Sequence, residues 1–339
     1  MQRLFTAVLL ASAGLPMAVQ ATVTAGELAY GKEHGYYDWG FQTMRGLRGI
    51  GPIDLATHNN SHYIINRSNG TVIELTKRIG QGTQGAVFKG LVVKTGSLPT
   101  SYQEFIGKQV AVKLTDASPF DDANDNKSAG LRKELRIAKR LAGLGGAPMV
   151  EFSDPGRFTV SEYNPITLSD YKRDFDFGIP RSEVMRIGEC LVKTVQSLHK
   201  RGIIHRDIKP ANIMFTQVPW RECADIVFID YGYSCQNVDA KDDDFCENAP
   251  PVFTFGFGSR GALKGSAPSY RDDLESVCYT LMDLLGEGVP WKPTRENVRK
   301  LRDYLGVFAE PLLLLLDKRP NYDKIIQSFH ELSSYPGRK

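Results

Sequence analysis

The spacing of apolar residues changes character near residue 163, and that change bounds the fold more tightly than any other property of the chain. Before it, short β-branched and aromatic runs alternate with turn formers: Tyr63-Ile64-Ile65, Thr71-Val72-Ile73, Ala86-Val87-Phe88, Val110-Ala111-Val112, residues 149–152 and Phe158-Thr159-Val160. Such runs read as strands, and Arg67-Ser68-Asn69-Gly70 between the first two reads as a hairpin turn. A basic stretch at 131–141, after an acidic loop at 116–126, reads as a helix within this part. Beyond Asn164 the period becomes helical: Val184, Ile187, Leu191, Val195 and Leu198 fall on one face of 181–200, and 274–285 and 311–316 read as further buried helices. Strands first and helices second predict an α+β architecture, with a small β-rich lobe at about 61–162 and a larger helical lobe at about 163–335. Apolar residues make up 42% of the 339, which is enough for a sizeable core.

The N-terminus carries a different signal. Arg3 is followed by an almost wholly apolar run from 4 to 19, and Val19-Gln20-Ala21 offers small residues at cleavage positions. This is the pattern of a secretory signal peptide, residues 1–21, cut after Ala21. The alternative is an anchor left in place, since the apolar run is just long enough to span a bilayer. Gly14 and Pro16 argue against a stable spanning helix. No later run is long enough to span, so no membrane segment is expected after cleavage. Residues 22–60 read as an extension of unknown role. Secretory-lumen residence or export follows as the expected location.

Five cysteines leave at least one thiol without an intrachain partner. Cys190 and Cys278 lie in apolar helical runs and read as small buried thiols. Cys235 and Cys246 flank a loop, and in an oxidising compartment they stand open between a disulfide and two thiols. Asn59, Asn66, Asn69 and Asn126 open glycosylation triplets, which matter only in a eukaryotic secretory route. The net charge of +3 is too small to argue for a nucleic-acid partner, and none is expected.

Four clusters carry chemistry. Gly80-Gln81-Gly82-Thr83-Gln84-Gly85 followed by Ala86-Val87 is a glycine-rich turn leading into a strand. A dinucleotide fingerprint would open a helix instead. Backbone amides at Gly80, Gly82 and Gly85 are free to approach phosphates because no side chain intervenes. Lys113 ends the apolar run 110–112, where a charge needs a partner, and Glu134 on the next helix supplies one. His205-Arg206-Asp207-Ile208-Lys209-Pro210-Ala211-Asn212 places a carboxylate, a lysine two residues on and an amide five residues on. The string resembles the protein kinase catalytic-loop motif, and that resemblance implies that Asp207 accepts a hydroxyl proton, that Lys209 steadies a γ-phosphate and that Asn212 holds Mg²⁺ through its amide oxygen. Ile226-Val227-Phe228-Ile229 delivers Asp230 into the turn Asp230-Tyr231-Gly232, suiting a carboxylate that chelates Mg²⁺.

The order and spacing of these clusters resemble the protein kinase superfamily. Glu134-Leu135-Arg136-Ile137-Ala138-Lys139 with Gly143, Gly145 and Pro148, the segment Ala267-Pro268-Ser269-Tyr270-Arg271-Asp272-Asp273-Leu274-Glu275-Ser276, Pro290-Trp291 and Lys318-Arg319-Pro320-Asn321-Tyr322 are similar to the casein kinase type I and vaccinia-related branch. The resemblance covers about residues 72 to 335 and implies a bilobal kinase fold, ATP and Mg²⁺ as cofactors, and a monomer acting on a protein substrate. It implies that Lys113 contacts the α- and β-phosphates, that Val87 lines the ATP site, and that Glu162 to Asn164 offer backbone bonds to the base. Ser161 would be the gatekeeper behind it. Asp273 would support the catalytic loop together with Arg206, and Thr254 would bond Asp207 and Lys209, favouring a serine/threonine substrate. Phe253 departs from the glycine expected before that threonine, and Tyr231 from a phenylalanine. The acidic segment 234–251 is either a solvated loop or a source of carboxylates for Arg206 or other bases, and a redox switch through Cys235 and Cys246, which it contains, is a second hypothesis. A nucleotide-binding scaffold without catalysis and a secretory small-molecule kinase stand as alternatives.

Overall fold

The computed structural model describes residues 53–58, 61–66, 69–82, 85–115, 126–154, 157–175, 178–236, 246–250, 252–286, 294–300 and 302–334. The signal-peptide stretch, most of the extension, the triplet asparagine Asn59, the loop 116–125, the aspartates at 242–244 and Pro290-Trp291 lie outside them. The described residues form two units, one within 53–136 with 148–163, the other within 137–147 with 164–334. The first is built on a sheet and the second is mainly helical, which is the α+β segregation that the spacing predicts.

The first unit is a six-stranded antiparallel sheet in sequential order. Its strands are β1 (Ile53–His58), β2 (Ser61–Asn66), β3 (Thr71–Gly82), β4 (Gly85–Lys94), β5 (Gln109–Thr115) and β6 (Phe158–Glu162). Period-2 alternation sets the buried face: Ala86, Phe88 and Val92 in β4, then Val110, Val112 and Leu114 in β5, are all buried. Helix α1 (Asn126–Ala138) follows β5. Two readings are corrected here. Strand β1 falls inside the stretch read as an aperiodic extension, and it pairs with β2 along its whole length. Residues 149–152 are not a strand. Beyond the bond from Met149 N to Val160 O, their backbone is spent in turns, Phe152 to Met149 and Ser153 to Val150. Ser153 Oγ completes the turn by donating to Met149 O and accepting from Val160 N. At the hairpin between β2 and β3, Asn69 accepts from Thr71 N and donates to Glu151 O, while Asn66 is buried.

The second unit contains strands β7 (Ile166–Thr167), β8 (Ile203–Ile204), β9 (Ile213–Phe215), β10 (Ile226–Phe228) and β11 (Cys235–Gln236). Its helices are α2 (Leu168–Arg173), α3 (Arg181–Lys200), α4 (Arg260–Leu263), α5 (Tyr270–Leu284), α6 (Arg295–Lys300), α7 (Arg302–Leu305), α8 (Ala309–Leu315) and α9 (Tyr322–Ser333). Every apolar position read in α3 is buried. A Cβ on Gly188 would lie 2.6 Å from the Phe329 ring, so α3 and α9 approach each other only because residue 188 is glycine. Ser269 caps α5 in a reciprocal box with Asp272, and Thr167 caps α2 with Asp170.

Cys190 corrects the cysteine reading: it is bonded to Cys223, not a free thiol. An apolar helix face does not by itself exclude a disulfide, because the partner comes from a loop that packs on it. Around this bridge Arg186 lies 3.7 Å over the Trp220 ring, and Trp220 Nε1 donates to Glu183 at 2.8 Å. Cys235 is bonded to Cys246, and Cys278 is free and buried. Among the described residues no helix is long and apolar enough to cross a membrane.

Candidate active site

In the sheet unit, β5 presents Lys113 on the face opposite its buried valines. The ammonium lies 3.3 Å from Glu134 Oε2 on α1, with side chains 12% and 4% exposed. A charge this desolvated is retained only with such a counter-charge. The β3–β4 hairpin pairs Gly80 with Val87 and Gly82 with Gly85. Among the described residues a Cβ on Gly80 would meet nothing closer than Val87 at 3.8 Å, an ordinary contact. The protein's own packing therefore does not demand glycine there, whereas a phosphate approaching the backbone would. Ser161 pairs with Ala111 on the sheet, Glu162 ends β6 and is exposed, and Asn164, in the other unit, is buried.

In the helical unit the polar residues of 205–212 converge. Asp207, 5% exposed, accepts from Lys209 Nζ at 2.7 Å and from both hydrogens of the Asn212 amide, one to its carboxylate at 2.8 Å and one to its carbonyl at 2.9 Å. Thr254 closes a triangle: Lys209 Nζ reaches its Oγ1 at 2.8 Å, and that hydroxyl donates to Asp207 Oδ1. Phe253, 45% exposed, is tolerated before Thr254 because Gly258 leaves room, since a Cβ there would lie 2.6 Å from Phe253 Cβ. With both amide hydrogens of Asn212 spent on Asp207, Oδ1 is the end left to accept. Ile229 N donates to Asn212 O at 3.0 Å, so Asp230 emerges beside it in left-handed backbone, φ 63°. A non-glycine residue in that region is strained, and such strain concentrates at functional sites. Among the described residues no group of three or more His, Cys, Asp or Glu could hold a metal. Asn212 and Asp230 do offer hard oxygen donors, the set that suits Mg²⁺ when phosphates complete its shell.

Asp273 is fully buried at the start of α5 and anchors this loop from below. It accepts from His205 N and Arg206 N, each at 2.8 Å, and from His199 Nε2 at 2.9 Å. Burial alone would push its carboxyl up, but His199, His205 and the Arg206 amide hold it below the ordinary carboxylate value. Arg206, in left-handed backbone at φ 72°, sends its guanidinium to Tyr233 O at 3.1 Å and to Pro250 O. Burial pulls the guanidinium down, with Asp273 and Asp272 acting the other way. Its partners here are carbonyls, and Glu247 is exposed. His205 accepts from Asp207 N through Nδ1 and faces Ile229 O with Nε2. Its ring also packs 5.0 Å from that of Tyr231, which fills the place of the expected phenylalanine.

Sequence reasoning gave no role to several residues of this neighbourhood. Glu275, 1% exposed, binds Arg260 Nε at 2.8 Å and Arg260 N at 3.0 Å, and accepts from Tyr279. Asp272 accepts from Ser259, which in turn caps α4. The available signal was two acids, Asp273 and Glu275, inside an otherwise buried helix, a placement that demands partners. A cavity of about 490 Å³ opens beside the loop, lined by Ser169, Lys172, Phe175, Lys209, Ala211 and Phe257.

A family model described as protein kinase domain matches residues 73–333. The chain belongs to that family, and is a kinase, a transferase of phosphoryl groups.

Proposed function

We propose that this protein kinase family member is a serine/threonine protein kinase that uses ATP and Mg²⁺, within or beside the casein kinase type I and vaccinia-related branch. The observation that carries the reading is the Asp207–Lys209–Thr254 triangle. It holds a carboxylate, an ammonium and a hydroxyl within hydrogen-bond reach of one another, the groups that proton and phosphoryl transfer call on. Asp207 accepts the proton of the incoming hydroxyl. Lys209, already within reach of Asp207, neutralises charge building on the γ-phosphoryl oxygens as the bond to the leaving diphosphate breaks. Lys113, kept in place by Glu134, binds the α- and β-phosphates, and the glycine hairpin with Gly80, Gly82, Gly85 and Val87 covers them. Backbone groups at Glu162 to Asn164 bind the base. Asn212 and Asp230 would hold Mg²⁺, which would supply charge neutralisation during phosphoryl transfer. Asp273 and Arg206 keep the loop in shape. The substrate is a protein, the enzyme acts as a monomer, and nucleic acid is not a partner.

The proposed location is the secretory lumen, or export beyond it, behind a cleaved signal at 1–21. Two intrachain disulfides support it, since such bonds persist in oxidising compartments. That compartment must also supply ATP, which favours a eukaryotic lumen or delivery into another cell. The test is a radiolabelled-ATP assay with Mg²⁺ on the full chain, offering an acidic and a basic protein, beside Asp207→Asn. Transfer lost in the variant, with label on serine or threonine, supports the reading. ATP-dependent thermal stabilisation without transfer to protein would replace it with a nucleotide-binding scaffold or a small-molecule kinase.

A further inference from the structure

We propose that the Cys235–Cys246 disulfide is the brace that positions Thr254, and through it Asp207 and Lys209, so that phosphoryl transfer depends on this bond being oxidised. The proposal rests on the kinase reading for its catalytic half and on geometry alone for its positioning half.

Cys235 lies in β11, paired antiparallel with β8 so that Cys235 faces Ile204 and Gln236 faces Ile203. Strand β8 runs directly into His205-Arg206-Asp207. Both sulfurs are buried, and Ile204, Cys235 and Cys246 form a small apolar cluster of their own with Ala249 and Tyr270 against it. The disulfide therefore ties residue 246 to a strand that is itself hydrogen-bonded to the one leading into the catalytic loop. Arg206 spans the same two stretches of chain, holding Tyr233 O two residues before Cys235 and Pro250 O four residues after Cys246. Ser234 Oγ adds a bond to His205 O at 3.2 Å. Thr254 follows four residues after Pro250.

Described residues from 246 to 254 pair with no strand, so point contacts set their course. Among the described residues those that reach the catalytic loop are the disulfide, the Arg206 clamp and the Thr254 triangle, while Ala249 packs on the disulfide cluster and Phe253 lies against Gly258. Segments of this kind are often ordered by a phosphate paired with arginine. Here the guanidinium already donates to two carbonyls, and the covalent link does the ordering. Reduction by a dithiol would cleave the bond to two thiols while the dithiol closes to its own disulfide, two electrons and two protons passing to the protein. Arg206 would then hold Pro250 without covalent help, and the turn at Thr254 would loosen.

The experiment compares the full chain, oxidised and after dithiothreitol, with Cys235→Ser/Cys246→Ser and with Cys190→Ala/Cys223→Ala. Two readouts are taken: kcat and KM for ATP, and hydrogen exchange at Phe257 and Gly258, whose amides donate to Thr254 O. For the Cys235→Ser/Cys246→Ser chain we expect kcat to fall roughly tenfold to a hundredfold, the scale of a misplaced catalytic group, with KM for ATP held within about twofold. Exchange at both amides should quicken by about tenfold as the local opening energy drops. Reduced wild type should behave likewise, recover on reoxidation, and keep this response in the Cys190→Ala/Cys223→Ala chain, so a serine variant that misfolds does not remove the test. Unchanged exchange after verified cleavage of the bond overturns the proposal, as does unchanged kcat in an active enzyme. If the oxidised chain transfers no phosphate, the exchange result still decides the brace, and it is the kinase reading that has failed.

Discussion

Asp273→Asn tests whether the catalytic loop is held from below by one buried charge. Asp273 receives two backbone amides and one imidazole N–H and is completely buried. Asparagine has the same shape but only one acceptor oxygen. Whichever way its amide faces, the N–H of either His205 or Arg206 loses its partner, which costs about 1–3 kcal/mol for a buried donor. The remaining bonds drop from charge-assisted to neutral, worth roughly another 1 kcal/mol. A total near 3 kcal/mol corresponds to a fall in Tm of about 6–12 °C for a unit of this size. The sign with pH is fixed by the depressed carboxyl. A group whose folded value lies below its unfolded one stabilises fully above the ordinary carboxylate range, and that stabilisation is lost as pH falls through the folded value. The gap in Tm between wild type and Asp273→Asn should thus be widest near neutral pH and should narrow below about pH 4. Scanning calorimetry across pH, with kcat measured in parallel, is the assay. A variant that melts within about 2 °C of wild type at neutral pH and keeps its kcat would refute the reasoning.

Lys113→Met removes the ammonium 3.3 Å from Glu134 and should cut phosphoryl transfer by roughly a hundredfold or more, while ATP-dependent thermal stabilisation weakens in the same protein. Glu275→Gln should destabilise by about 2–3 kcal/mol in urea denaturation, less than the ~3–5 kcal/mol of a wholly buried pair, because the Arg260 side chain is 34% exposed and can turn to water. Thiol titration should count no reactive thiol in the native protein, one after denaturation and five after denaturation with reductant, since two disulfides leave only Cys278, which is buried with its thiol pushed up by that burial. A native count above zero would break the cysteine assignment.

What the sequence made legible divides along the range of the interactions involved. Helix α3 could be read to the residue because its apolar stripe has the helical period and its burial follows from that stripe alone. The loop 205–212 was legible because its chemistry is local: Asp207, Lys209 and Asn212 lie within six residues, and their mutual bonds follow from that closeness. The turns at 149–152 look like a strand because apolar content is shared by strands and buried turns, and only Ser153 hints that the backbone bonds run back on themselves. Strand β1 was invisible since its identity comes from pairing with β2, not from its own pattern. The Cys190–Cys223 bridge and the Glu275–Arg260 pair span 33 and 15 residues, and at those separations residue type names a need for a partner without naming the partner.

Both disulfides, and the buried anions Asp273 and Glu275, belong to the helical unit. The sheet unit has no cysteine to cross-link in residues 53–136 or 148–163, and three of the six residues 80–85 of its hairpin are glycine. That asymmetry fits the chemistry proposed for each unit. On that proposal the hairpin covers phosphates and would have to open for each exchange of nucleotide, so rigidity there would slow turnover. A base, an ammonium and a hydroxyl held in one triangle gain from every constraint that keeps them together, because positioning supplies most of what a protein contributes to phosphoryl transfer. Covalent cross-links constrain without asking the segment to carry more apolar surface or a modification added after folding. They serve only where thiols stay oxidised, so if the Cys235–Cys246 bond orders the segment around Thr254 as proposed, it ties the enzyme's activity to the proposed compartment. Retargeting the chain to a reducing cytosol, with ATP in plenty, should therefore leave it less active than in the lumen.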